Sequence, residues 1–171
     1  MNLVRLGSEQ GGWWVDLDSV PPNSVVIDGG VGADLSFSFE LVRIKDVTVI
    51  AVDPSEVSLE YLALRPPGIV FLPYALRAMD GPVTMYHNPL GSDTADREMP
   101  GARERRTYTA SGIRLYDLVK ANPAVSLVKL DIEGSELDVY QHCFGVPQVL
   151  IEFHTIQMPH MKGLFTLALR D

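Results

Sequence analysis

The chain has 171 residues, of which 46% are apolar, and a formal net charge of −8; this composition predicts a single domain over residues 1–171. The acidic balance argues against nucleic acid as a partner, because affinity for a phosphate backbone comes largely from lysine and arginine. No apolar run approaches the roughly 20 residues of a membrane span and residues 1–10 lack the order of a secretory signal, so we expect a cytoplasmic protein without a membrane partner.

The first half of the chain alternates between predicted strands and helices after a lead-in over 1–20. Short apolar, β-branched runs predict buried strands, and apolar residues at helical spacing predict helices. In chain order these elements are a strand over 24–28, a helix over 34–43, a strand over 47–53, a helix over 56–64 begun by Pro54, and a strand over 69–72.

The second half opens with a predicted strand over 83–87 and a polar insertion over 88–112. Four arginines of this region form either a solvated surface or a contact to an anionic substrate, and they are Arg97, Arg103, Arg105 and Arg106. The remaining elements are a helix over 115–120, a strand over 126–131, a helix over 135–144, a strand over 148–153 and a final helix over 161–170.

This alternation predicts an α/β, Rossmann-like fold with a mostly parallel sheet of about five core strands and helices on both faces. Since a helix follows the strand over 148–153, we expect that strand to lie at an exposed sheet edge, through which copies of the chain form a homo-oligomer. Cys143 is the single cysteine, which excludes an internal disulfide and favours a packing role.

A glycine-rich turn follows the first strand. The glycines of Asp28-Gly29-Gly30-Val31-Gly32 allow a sharp turn and a close approach to a ligand. Asp53 ends the next strand, where Rossmann-type sites place a carboxylate that accepts the ribose hydroxyls. Asp34 would repel the phosphates of a dinucleotide, whereas S-adenosylmethionine is cationic and has no phosphate. The acidic rim therefore favours S-adenosylmethionine over NAD.

Charged residues also gather where the strand over 126–131 ends. Asp131 and Glu133 follow this strand, and His154 follows the strand over 148–153. Ligands of open α/β sheets bind at the carboxyl edge of the strands, and histidine transfers protons near neutral pH. These three residues are candidate catalytic groups; ligation of a divalent metal by the same three residues is the alternative.

Together these segments resemble the FkbM family of S-adenosylmethionine-dependent methyltransferases, whose hallmark strand reads close to Lys-x-Asp-x-Glu-Gly-x-Glu. The matching residues here are Lys129–Glu136. The glycine turn, Val52-Asp53-Pro54 and Ile151-Glu152-Phe153-His154 are similar to family segments in the same order. The resemblance implies a class I methyltransferase fold and O-methylation.

By position, the resemblance implies a cofactor site at three places. Asp28, Gly30 and Gly32 would frame the methionine part, Asp53 would hold the ribose, and the adenine would lie near Tyr74 and Ala75, with Asp34 on the acidic rim. Methyl donor and acceptor would meet near Asp131. Family members normally end in an antiparallel pair of strands, and we expect this pair to be lacking here.

The leading hypothesis is therefore methyl transfer from S-adenosylmethionine to a small-molecule or sugar-type acceptor, without a metal. Positioning of the acceptor would supply most of the rate, and a carboxylate or His154 would remove the proton. The alternatives are a non-catalytic or truncated cofactor-binding domain and, on the same fold class, a nucleotide-dependent oxidoreductase.

Overall fold

The computed structural model describes residues 2–64, 66–87 and 106–154, together with the backbone of 94–95 and 164–167. The strands are β1 (Leu3–Leu6), β2 (Trp13–Asp16), β3 (Val25–Gly29), β4 (Thr48–Val52), β5 (Ile69–Leu72), β6 (Ala75–Arg77), β7 (Gly81–Tyr86), β8 (Thr94–Ala95), β9 (Thr107–Arg114), β10 (Val125–Leu130), β11 (Gln148–Glu152) and β12 (Leu164–Leu167). The α-helices are α1 (Ser36–Lys45), α2 (Glu60–Leu64), α3 (Leu115–Ala121) and α4 (Glu136–Val139).

A central sheet with the strand order β12-β11-β10-β3-β4-β5 organises these elements. The five strands from β11 to β5 are parallel, which confirms the predicted α/β fold. The chain moves outward from β3 to β5 and then returns to β10 on the other side of β3. The direction of the connections therefore reverses between β3 and β10, the place where open α/β sheets leave a crevice for ligands.

Both faces of this sheet are covered, which explains its continuous apolar strands. One core cluster contains Val26, Val49 and Phe37, so α1 lies on that face. The opposite cluster contains Ile27, Val128 and Leu115, and it also includes Cys143, whose predicted packing role is confirmed. None of the helices within the described ranges has the length and apolar content of a membrane span.

A second sheet, of order β6-β9-β7-β8, lies beyond β5 in the chain. The insertion predicted over 88–112 is wrong from residue 107 onward, because these residues begin β9, which pairs antiparallel with β7. The alternation of polar and small residues in Thr107–Arg114 concealed this strand. Arg106 forms an exposed ion pair of 2.8 Å with Glu56, and the other three arginines of the cluster lie outside the described residues.

The final helix predicted over 161–170 is wrong where the backbone is described, because Leu164–Leu167 forms β12. This strand pairs antiparallel with β11. The expectation that β11 is the edge strand is therefore also wrong, since β12 satisfies its outer backbone groups. Oligomerisation stays a prediction, as does the absence of a complete antiparallel pair.

Three further segments differ from their predictions. The lead-in over 1–20 forms the hairpin β1–β2 and a short 3-10 helix, Leu17–Ser19. Pro54 precedes the 3-10 helix Glu56–Leu59 and does not start it. The helix predicted over 135–144 is α4 followed by the 3-10 helix Tyr140–Cys143. Short 3-10 turns thus replace part of each of these two predicted helices.

Candidate functional site

A cleft of about 820 Å³ opens at the carboxyl ends of β3, β4 and β10. Its walls are the glycine turn after β3, residues 53–57 after β4, and residues 131–133 with Ser135 after β10. Trp13 from the N-terminal hairpin and Met85 from the second sheet also line it. The volume lies within the roughly 300–1,000 Å³ of small-molecule sites.

The glycine turn forms the floor of this cleft. Gly30 and Gly32 have φ angles of +79° and +49°, which favour glycine. A Cβ on Gly30 would lie 1.7 Å from the carbonyl oxygen of Asp131, so the two loops touch through their backbones. A Cβ on Gly32 would meet nothing within 4 Å. Gly32 thus presents bare backbone to open space in the cleft, which suits a ligand lying against it.

A buried ion pair lies beneath the turn. Lys129 Nζ is 3.1 Å from Asp28 Oδ1, and it donates to the carbonyl oxygens of Gly29 and Gly30 at 3.3 and 3.2 Å. Burial lowers the pKa of Lys129, but the carboxylates of Asp28 and Asp131 outweigh this effect and raise it above its ordinary value. The lysine therefore stays charged and joins β10 to the glycine turn.

The two predicted acidic residues of the turn have different surroundings. Asp28 is 1% exposed, accepts a hydrogen bond of 2.6 Å from Ser38, and does not line the cleft. Asp34 lines the cleft and accepts from Ser8 Oγ at 2.6 Å and Ser36 N at 2.8 Å. Burial raises the pKa of Asp34, but these hydrogen bonds bring it below its ordinary value.

Asp53 lies in the cleft wall directly beside the glycine turn. Its Oδ2 accepts from Gly32 N at 2.8 Å, and its Oδ1 accepts from the amide and hydroxyl of Ser55. A carboxylate has about four acceptor positions, so one remains for a ligand hydroxyl. Of the two predicted adenine contacts, Ala75 lines the cleft, whereas Tyr74 packs against the core cluster around Ile27.

The three predicted catalytic residues lie close together, with Asp131 and Glu133 in the lining of the cleft and His154 outside that lining. Nε2 of His154 lies 3.8 Å from Asp131 Oδ1, 3.6 Å from Glu133 Oε2 and 3.7 Å from Glu152 Oε1. On the other side of the ring, Nδ1 lies 3.1 Å from Glu136 Oε1. His154 is therefore surrounded by four carboxylates supplied by the loop after β10, by α4 and by β11.

This crowding of charge shifts two pKa values. Burial raises the pKa of Asp131 to about 6, with Lys129 and His154 opposing the rise and Glu152 adding to it. Burial lowers the pKa of His154, but the hydrogen bond to Glu136 and the charges of Glu133 and Asp131 raise it to about 9. At neutral pH the cluster therefore contains an imidazolium and an ionised Asp131.

The family model for the methyltransferase FkbM domain matches residues 30–166, more than half of the chain. The protein belongs to the FkbM methyltransferase family. This confirms the resemblance found in the sequence and supports methyl transfer as the class of activity. No curated protein and no solved structure matches the chain significantly.

A metal ion was the alternative for the acidic end of this FkbM domain. Asp131, Glu152 and His154 offer ligand atoms that lie within 4.8 Å of one another. This set contains Glu152 in place of Glu133, the third ligand predicted from the sequence. In the structure His154 forms an ion-pair network with these carboxylates and with Glu133 and Glu136.

Sequence reasoning missed two residues that shape this FkbM site. Trp13 lines the cleft, and its ring lies 5.4 Å from Lys129 Nζ. Glu136 is fully buried behind His154. The only signals were a tryptophan pair in the lead-in and the last glutamate of the Lys129–Glu136 motif, and neither reveals a contact between distant segments of the chain.

Proposed function

We propose that this FkbM protein transfers the methyl group of S-adenosylmethionine to a hydroxyl oxygen of a small-molecule acceptor, such as a sugar. One observation carries the proposal: a single cleft extends from Asp53 along the glycine turn to Asp131 and Glu133. A donor bound on the turn and an acceptor beside Asp131 would thus share one cavity. Holding the two reacting atoms in line is the largest contribution that such a site makes to the rate.

The residues of the turn suit this cofactor. Gly32 leaves room against its backbone, and Asp34 and Asp53 supply negative charge around a cationic ligand. Asp53 would accept a ribose hydroxyl, Gly30 and Gly32 would support the methionine part, and Ala75 would lie near the adenine. Asp28 would contribute indirectly, by holding Lys129 under the turn. When bound, the cofactor supplies an electrophilic methyl group on a sulfonium.

The acidic end of the cleft suits proton removal. With a pKa of about 6, Asp131 is mostly ionised at neutral pH and retains enough basicity to accept the proton of an acceptor hydroxyl. His154 carries its own proton below about pH 9. We therefore assign proton acceptance to Asp131, hydrogen bonding of the acceptor to Glu133, and charge compensation to His154.

Calorimetric titration tests the cofactor assignment. We expect S-adenosylhomocysteine to bind and NAD, run side by side, not to bind. Transfer of a labelled methyl group to a panel of sugars and small hydroxy acids then tests the reaction. Binding without any transfer would support a cofactor-binding domain, and failure of S-adenosylhomocysteine to bind would refute the proposal.

Asp53→Ala is expected to weaken S-adenosylhomocysteine binding about 10- to 100-fold, because a hydrogen bond to a charged group contributes roughly 1.5–3 kcal/mol. Isothermal titration calorimetry gives this difference directly. Ser55→Ala is the matched control, since it removes a hydrogen bond that supports Asp53 and keeps the carboxylate. Equal affinities of wild type and Asp53→Ala would contradict the ribose assignment.

A further inference from the structure

Glu136 is the first residue of α4, and its carboxylate is buried with no exposed surface. Every oxygen of this carboxylate is engaged. Oε1 accepts from Ile132 N at 3.0 Å, and Oε2 accepts from Gly134 N at 3.0 Å. Nδ1 of His154 lies 3.1 Å from Oε1, and the backbone N–H of His154 donates to Oε2 at 3.4 Å. Glu136 does not line the cleft.

The two loop hydrogen bonds lie on either side of Glu133. This residue has a φ of +53°, a left-handed conformation that costs a non-glycine residue about 1–2 kcal/mol. Because Glu136 accepts from the residues before and after Glu133, it holds the loop in this conformation. The result is that the side chain of Glu133 faces the cleft.

The hydrogen bonds to His154 act at the end of β11, outside the lining of the cleft. The imidazole is held at Nδ1, so Nε2 is turned toward Asp131, Glu133 and Glu152. A carboxylate that receives Nδ1–H fixes both the ring orientation and the position of the ring protons. One buried residue therefore connects the loop after β10 with the end of β11, the two segments that carry the candidate catalytic groups.

We propose that Glu136 is a positioning residue that joins these two segments and holds the His154 imidazole against Asp131 and Glu133. Burying a carboxylate is costly unless donors compensate it, and here the donors outside Glu136 itself belong to the loop after β10 and to His154. The positioning role of Glu136 adds a residue to the proposed function. Only its test by kcat rests on that function being correct.

The charged groups around His154 determine how its pKa responds to the loss of the Glu136 charge. It is faced by Asp131 and Glu133 from the loop, Glu136 from α4 and Glu152 from β11, while Lys129 lies 4.0 Å from Asp131. Burial raises the pKa of Glu136, but the hydrogen bond from His154 and the backbone bonds lower it below its ordinary value. Removing its charge should let the pKa of His154 fall.

The decisive experiment is a pH titration of the His154 ring by NMR, with Glu136→Gln compared with wild type. The signal is assigned by its loss in His154→Gln, because the chain has four histidines. We expect wild-type His154 to titrate well above 6.5 and the midpoint to fall by roughly one to two pH units in Glu136→Gln. In the same variant kcat should fall, because the loop that carries Asp131 and Glu133 is held less firmly, with little change in the affinity for S-adenosylhomocysteine.

Asp138→Asn is the control, because it removes an exposed carboxylate from the first turn of the same helix; His154 should titrate as in wild type. In Glu136→Asp, which keeps the charge, the His154 midpoint should lie between those of Glu136→Gln and wild type. The proposal is overturned if wild-type His154 titrates at or below 6.5, a measurement that does not depend on the folding of Glu136→Gln. An unchanged midpoint in folded Glu136→Gln also overturns it. Because the NMR titration does not require turnover, failure of the Glu136 proposal can be distinguished from failure of the methyl-transfer proposal.

Discussion

Gly30→Ala is expected to destabilise the fold by about 3–5 kcal/mol, a size reserved for clashes and strain at special backbone positions. The added Cβ would lie 1.7 Å from the carbonyl oxygen and 2.6 Å from the carbonyl carbon of Asp131. Neither segment can yield easily, because Gly30 N donates to Val52 O at 2.9 Å and Asp131 N donates to Gly29 O at 3.1 Å. The φ of +79° adds to the cost.

Gly32→Ala is the matched control for this prediction. Its Cβ meets nothing within 4 Å, so the loss of stability should stay near the roughly 1–2 kcal/mol of a left-handed alanine. The methyl group would instead occupy space that the proposed cofactor needs, and affinity for S-adenosylhomocysteine should fall. Urea unfolding and calorimetry separate the two effects. A Gly30→Ala protein as stable as wild type would show that the two loops do not touch as described.

Asp131→Asn is expected to make the protein more stable and a poorer enzyme. Loss of the proton acceptor should lower kcat by about 10²- to 10⁴-fold, the usual contribution of general base catalysis, with little change in cofactor affinity. Burial raises the pKa of Asp131 from 3.8 to about 6, so the folded state holds its proton more tightly than the unfolded state does. Ionised Asp131 therefore destabilises the fold.

The pH dependence follows from the sign of this shift. The stability that protonated Asp131 contributes is fully present below about pH 3.8 and is lost as pH rises through 6. Asparagine imitates the neutral acid, so at pH 3.5 Asp131→Asn and wild type should have the same free energy of unfolding. Above pH 7 the variant should be more stable by up to about 3 kcal/mol, because each pKa unit corresponds to about 1.4 kcal/mol. Urea unfolding at several pH values measures this difference in stability, and Glu133→Gln is measured in the same way for comparison. Full methyl transfer by Asp131→Asn would make Asp131 a structural residue.

Local patterns along the chain were sufficient to predict the central sheet and half of the candidate site. The run over residues 47–52 is apolar on both faces, and such a run is typical of a parallel strand covered on both sides. The glycine turn and Asp53 could be located for the same reason: in a parallel sheet the residue that ends a strand lies at the ligand edge. The family motif from Lys129 to Glu136 depends on the same regularity.

The sequence by itself therefore determined the parallel core, the sheet edge at which the cleft opens and the residues at the strand ends, because each follows from the period and polarity of a short segment. Only the tertiary structure decided that Leu164–Leu167 is a strand, since the open backbone of β11 outweighs a weak helical pattern. It also decided that Glu136 joins the loop after β10 to His154. A hydrogen bond between segments 18 residues apart depends on how β10, α4 and β11 pack, and no local pattern encodes that distance.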